Sequence, residues 1–435
     1  VEETVGQALR RLRGRRSLRE VSRKAHCSHS LVFDIENGRV QKPGMDTLIA
    51  IDRALDAGGE LVAIASTRPV TSLEEQLQGA GPAFRVDGGV EASATGPDFD
   101  DPMAVATQTH RLTSSNVNDP MLASIARSIA SIVRRYEAQG PQQLAGETRT
   151  IRKLLHRFLG GHQPPRARAK LFLMASQAAG LLGYMAVNAG ADYEVVDAYC
   201  SEAEALAREV GEVPLEMWAC GTRSLGLYYQ KRYAEADEAA QAGIALAPRN
   251  AQAVRLFVNG RSRALARLGD RSGAERAIGH ALDLSERQTS LPGGLTPCIS
   301  FEPYSAARIR ANAITTRLSL GDTAAVLAYA EQIDELIIRS DSDWSRALVG
   351  LDVATALLQL SSPDIEQAMA RGRQALRSGT TTPIKSVCER ANELYHHAAQ
   401  WRDEPDVRDY AEELRTWQGQ PQAGMIVGSR TQSAP

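Results

Sequence analysis

Aromatic residues are few in this sequence, 5% of 435, against an abundance of Ala, Leu, Arg and Glu. Sheets draw on β-branched and aromatic side chains and helices on unbranched ones, so this balance excludes a sheet-rich protein and predicts an all-α fold. Cysteine is sparse too. Cys27, Cys200, Cys220, Cys298 and Cys388 are scattered, with no C-x-x-C pair and no histidine at metal-ligand spacing, which argues against zinc and disulfide frameworks and fits a reducing compartment. No stretch approaches the ~20 uninterrupted apolar residues of a membrane span. "VEETVGQALRR" has no apolar run of a leader, and a soluble, cytoplasmic protein without membrane contact is expected. Catalytic signatures are missing as well: there is no P-loop, no G-x-G-x-x-G before a helix, no H-E-x-x-H, no G-x-S-x-G and no cysteine-histidine neighbourhood. The adjacent His396 and His397 lack a spaced partner. No enzymatic activity, cofactor or metal site is expected.

The length exceeds one ordinary core and suits two domains of unequal size. The formal net charge is −2, so the whole chain does not read as a nucleic-acid binder, but its distribution is uneven. Arg10, Arg11, Arg13, Arg15, Arg16, Arg19, Arg23 and Lys24 crowd one segment against Glu20 alone. Such a cluster is either a solvated helix face or the footprint of a polyanion.

"VGQALRRLRG" spaces Val5, Ala8, Leu9 and Leu12 as a helix and stops at glycine. Ser17 can cap a second helix with Leu18, Val21 and Ala25 inward, and Ser28 starts a third, "SHSLVFDIEN", with Leu31, Val32 and Ile35 inward and Gly38 past its end. Two short helices joined by a tight turn are helix-turn-helix spacing. Leu48, Ile51 and Leu55, then Leu61 and Ile64, complete a five-helix core over residues 1–66. Residues 67–118 turn to Gly, Pro, Ser, Thr and Asp and read as a flexible linker, too polar to offset the entropy of ordering. Asp119-Pro120 then opens a helix with the stripe Leu122, Ile125, Ile129, Ile132 and Tyr136, heptad-like over two heptads and open to packing within its own domain or across a dimer.

Beyond it the chain repeats loosely. Turns at Lys231-Arg232, Gly269-Asp270 and Gly321-Asp322 are followed by Ala236, Ala274 and Val326, and further units surround Val196 and Ala368, at separations of 38 to 52 residues. "RQTSLPGGLTPCISFEPYS" cannot be helical and should be a loop over the mouth of the helical array. The array spans 119–417, with a disordered tail at 418–435.

"SLREVSRKAHCSHSLVFDIENGRVQKPGMDTLIAIDRAL" resembles the Cro/repressor-like (XRE) helix-turn-helix family of transcriptional regulators, and "IDRALDAGGELVAIA" its actinobacterial branch. The resemblance implies a recognition helix entering the major groove of double-stranded DNA, short polar side chains at its first turn reaching base edges. It places Ser28, His29, Ser30, Phe33 and Asp34 toward the groove, His29 and Ser30 as the base readers. Phe33 either packs on a thymine methyl or tucks into the core, and Asp34, unsuited to phosphate, could pair with a nearby arginine. The DNA-contacting set is Leu18, Arg19, Arg23, Ser28, His29, Ser30, Phe33, Arg39 and Lys42, the basic members on phosphate. Glu36, by the same resemblance, pairs with a helix 1 arginine, Arg10 being the candidate.

The later units are similar to tetratricopeptide (TPR) repeats, whose period is about 34. "RYAEADEAAQAGIALAP" is the best copy, with Tyr233, Ala236, Gly243 and Pro248 in the family's places, and the others depart from it. The resemblance implies an α-solenoid whose first helices line a concave face, which puts Asn188, Tyr228, Asn259, Arg263 and Arg308 there. An asparagine can clasp a peptide amide with donor and acceptor, as peptide-sensing regulators of this plan do. The function expected is a homodimeric regulator of a palindromic operator that binds an effector peptide or small molecule. A DNA-tethered scaffold for a partner protein is the alternative, since such faces take either kind of guest.

Overall fold

Thr4 begins the first helix with a capping box: its hydroxyl accepts from the Gln7 backbone N–H while the Gln7 side chain accepts from the Thr4 N–H at 2.9 Å. In the computed structural model, which describes residues 3–40, 43–66, 99–288, 292–340, 342–378 and 383–420, the chain is all-α, with no strand among the described residues. Lys42, residues 67–98 of the expected linker and residues 421–435 of the expected tail lie outside the described residues.

The chain divides into two units at residues 99/100. The first holds α1 (Val5–Arg13), α2 (Leu18–Lys24), α3 (His29–Glu36), α4 (Met45–Ala54) and α5 (Glu60–Ser66). Ser17 and Ser28 cap α2 and α3, each hydroxyl accepting a backbone N–H at 3.2 Å. Leu9, Val21, Val32, Ile35, Ile51 and Leu61 form the core, with Leu12, Leu18, Leu31 and Ile64 at its edge. Asp52 accepts the backbone N–H groups of Gly59 and Leu61 at 2.7 and 2.9 Å and so ties α4 to the start of α5.

The second unit begins with a helix inside the segment read as linker. Asp101 caps α6 (Pro102–Thr113), and none of that helix is buried. Asp101-Pro102 is itself a helix-start signal, which the segment's polar average had masked. The chain docks directly after α6: the Asn116 N–H donates to the His162 carbonyl at 3.0 Å and Val117 is buried. In α7 (Asp119–Leu159) the cap is Asn118, one residue before the Asp119 expected. This helix kinks at Gly140, φ 77°, followed by Pro141, which has no N–H to continue the ladder. Leu122, Ile125, Ile129, Ile132 and Tyr136 are all buried in the unit's own core, so the stripe is not free to form a dimer seam.

Helix pairs follow: α8 (Pro165–Ala189) with α9 (Tyr193–Arg208), α10 (Val213–Tyr229) with α11 (Tyr233–Leu246), α12 (253–267) with α13 (Arg271–Glu286), α14 (Ala306–Ser319) with α15 (Thr323–Ile338), and α16 (Asp343–Leu358) with α17 (Ile365–Ser378). α18 (Lys385–His397) and α19 (Pro405–Gln418) close the unit. α8 is long and apolar enough to cross a membrane by length and composition, but it is a largely buried core helix. Four pairs turn on a left-handed residue, Gly190, Lys231, Gly269 and Gly321, at φ 75°, 61°, 82° and 71°. A small or branched side chain, Val196, Ala236, Ala274 or Val326, then packs fully into the pair.

The described part of the proline-rich segment between α13 and α14, residues 292–305, is a loop packed into the unit. Ile299 and Tyr304 are buried. Its carbonyls are held from within: the Trp218 indole N–H donates to Ser300 O at 2.8 Å, Arg255 to Cys298 O at 3.0 Å, and Arg308 Nε to Thr296 O at 2.6 Å. Buried donors supply the bonds that water would otherwise supply to a loop.

Candidate functional site

In the first unit, α2 and α3 present the groups the sequence singled out. Arg19, Arg23, Ser28, His29, Ser30 and Arg39 are exposed. Leu18 is half-buried at the core's edge, and Ser28 spends its hydroxyl on capping α3 and on the Ser30 hydroxyl at 3.0 Å. Phe33 is 40% exposed with the Arg39 guanidinium 5.6 Å from its ring centre, so it is not tucked into the core. Asp34 lies 3.6 Å from Arg39, the pairing that would keep its charge from repelling phosphate.

The buried side of α3 is locked by charge. The Glu36 carboxylate, 3% exposed, accepts from Arg10 Nε at 3.1 Å and from Arg13 at 2.7 and 3.1 Å. Burial pushes the Glu36 carboxyl up, but the hydrogen bonds from Arg13 and Arg10 outweigh it and hold the group below the usual carboxylate range. Arg10 was expected. Arg13 was not, although it follows Arg10 by three residues and so shares its helix face. Arg10 also reaches Asn37 Oδ1 at 2.9 Å, pinning the end of α3 to α1.

In the second unit all five residues assigned to a concave face line one of two cavities. The larger, about 670 Å³, is bordered by Tyr228, Tyr229, Tyr233, Arg263, Arg267, Thr315, Asp352 and Arg390 among others. The smaller, about 70 Å³, takes in Asn188, Asn259, Arg263 and Arg308, together with Tyr136, Tyr184 and Asp352. Arg263 borders both. The asparagines are not idle: Asn188 donates to the Tyr184 carbonyl at 3.0 Å, and Asn259 Oδ1 accepts from Arg263 at 2.7 Å. Arg308 donates to the Ser345 hydroxyl at 3.0 Å besides holding the loop. Burial pushes the Tyr136 and Tyr184 hydroxyls well above the ordinary phenol range, so both stay protonated.

Sequence reasoning missed Asp352 and Arg390, whose carboxylate and Nε meet at 2.9 Å, with the Thr315 hydroxyl donating to Asp352 at 2.7 Å. Asp352 lies on α16, the first helix of the fifth pair, so extending the first-helix rule by one unit finds it. Arg390 comes from α18, outside any pair, and no local pattern marks it.

A family model described as a helix-turn-helix domain matches residues 4–64. The match covers the first unit alone, and that unit is a helix-turn-helix domain of the kind DNA-binding regulators carry. No curated protein matches the chain.

Proposed function

We propose that the protein is a sequence-specific, XRE-type transcriptional regulator and no enzyme, whose second unit is TPR-like, dimerises, and binds a peptide or small-molecule effector. The observation that carries the DNA-binding part is α3 itself. Glu36 is bolted to Arg10 and Arg13 on the inner side while His29, Ser30 and Phe33 stay in solvent beside Arg19, Arg23 and Arg39. A rigid helix with short polar groups at its first turn and flanking guanidiniums has what groove entry and phosphate contact require.

The TPR-like reading rests on the recurrent pair of helices, left-handed turn and buried small residue, and the effector on cavities lined by the first helices of successive pairs. Dimerisation follows from the small reach of one recognition helix, which two half-sites double.

Selection of duplexes from a random pool on the full-length chain, followed by footprinting with and without culture extract, tests the reading. A palindromic footprint weakened or strengthened by extract is expected. Indiscriminate duplex binding would remove the regulator, and a footprint indifferent to extract would remove the effector.

A further inference from the structure

Arg263 is 4% exposed, yet no carboxylate lies within ion-pair distance of it among the described residues. Asp352, the acidic neighbour that acts on it through space, is already bound by Arg390 and Thr315. What Arg263 has instead is Asn259 Oδ1 on one nitrogen, the face of Tyr228, 4.3 Å from guanidinium carbon to ring centre, and Tyr229, through its ring at 5.8 Å and its hydroxyl. Its Nε has no hydrogen-bond acceptor. Neutral groups and ring faces thus hold a buried cation that has no direct counter-charge, and such a group at a cavity wall is a candidate site for a ligand of opposite charge.

The surroundings are built to hold it there. Residues Leu256–Arg261 form a π turn in the middle of α12, with Asn259 inside it and Arg263 just beyond. Such turns are irregular and concentrate at functional sites. Gly260 permits this one: a Cβ there would stand 2.7 Å from the Ala240 Cβ. The Ser262 hydroxyl then ties the turn to Val258 O and to Thr316 on α14, both at 2.8 Å.

Resting on the effector-binding reading above, we propose that the effector is an acid. Its carboxylate or phosphate seats on Arg263, and its body fills the larger cavity against Tyr228, Tyr229 and Tyr233. At about 670 Å³ the cavity falls in the range of small-molecule sites. Arg390, Arg267 and Lys231 add positive charge to its wall; the first two are already shared with a carboxylate, Asp352 and Glu393 respectively, and Lys231 is exposed, so among the described lining residues Arg263 is the buried cation without an ion pair. An oxyanion accepting from Nε would satisfy the group that now lacks a partner.

The full-length chain is titrated by calorimetry and tryptophan-detected melting with benzoate, phenyl phosphate, the tripeptide Gly-Gly-Phe with free or amidated C-terminus, and benzylamine, at matched ionic strength. At least one acid should bind and raise the melting midpoint while benzylamine and the amidated peptide do not, and the acid that binds best tells carboxylate, phosphate and peptide sources apart. Arg263→Gln should weaken that acid about tenfold or more, the loss of a charge-assisted pair, and leave duplex affinity unchanged. Arg263→Met, which keeps the side chain's length without its charge, should likewise lose the acid response while duplex affinity stays that of the wild type. No response to any acid, an equal response to benzylamine, or an acid response that survives Arg263→Gln overturns the proposal. If extract alters the footprint through a neutral or basic compound, the effector reading stands and this one falls. If an acid binds at Arg263 and never alters the footprint, the site stands and its regulatory role falls.

Discussion

Glu36 shows how one carboxylate can couple a recognition surface to a core. Its two arginines come from α1, so α3 cannot rotate without leaving a buried charge unpaired. Because its native pKa lies below the ordinary 4.5, the folded state holds the proton less readily than the unfolded chain. The stability it contributes is therefore complete above that ordinary value and drains away as pH falls through the lower native one. Hydrogen-exchange protection of α1 and α3 amides should fall between about pH 5 and 3 faster than in Glu36→Gln. At neutral pH that variant should lose about 3 kcal/mol, the low end for a broken buried pair because Arg10 stays largely solvated. A variant with unaltered protection and an unaltered acid limb would show the ion pair to be idle.

At the scale of elements, the turns explain the loose repeat better than the helices do. Gly190, Gly269 and Gly321 accept the left-handed conformation freely, whereas Lys231 meets it with a Cβ, a cost of ~1–2 kcal/mol less what glycine's unfolded-state entropy takes back. Lys231→Gly should thus raise the stability of the second unit by about 0.5–1 kcal/mol in urea melts. Tryptophan fluorescence suits the measurement, because Trp218, Trp344, Trp401 and Trp417 all lie in that unit; an unchanged midpoint would mean that the strain is relieved elsewhere. For α3, His29→Ala should relax sequence preference while Arg23→Ala weakens every duplex about equally and flattens the salt dependence, since base edges carry specificity and phosphates carry affinity. Identical losses on selected and random DNA for both variants would dissolve that division. These elements were legible in sequence because caps, glycines and apolar spacing act within a few residues. Ser17, Ser28 and the paired turns are such signals. That the inserted segment is a loop was legible from its prolines and glycines, but not how it is held, since Ser300 is bound by Trp218 and Cys298 by Arg255, partners far away along the chain. Arg390 beside Asp352 was hidden for the same reason.

For the whole molecule, the decisive matter is where two copies could meet. A single recognition helix touches few base pairs, and in the dimer proposed above two would act together, with half-sites about 34–36 Å or a multiple of that apart. The heptad-like stripe of α7 had offered a seam, but Leu122, Ile125, Ile129, Ile132 and Tyr136 are consumed within one chain, where Tyr136 packs edge-on against Trp344 at 5.3 Å. The proposed dimer would use other surface. Ile129→Asp separates the two possibilities. A charge in a core position should cost several kcal/mol and unfold the second unit, so that tryptophan fluorescence and dimer mass are lost together. A stripe that joined two chains would behave differently, leaving a folded monomer with native fluorescence that no longer footprints both half-sites. Light scattering of the wild type at micromolar concentration should give the dimer mass, and Ile129→Asp should never populate a folded monomer. Recovery of such a monomer would return the seam to α7, and a wild type that stays monomeric on its operator would remove the paired half-sites altogether.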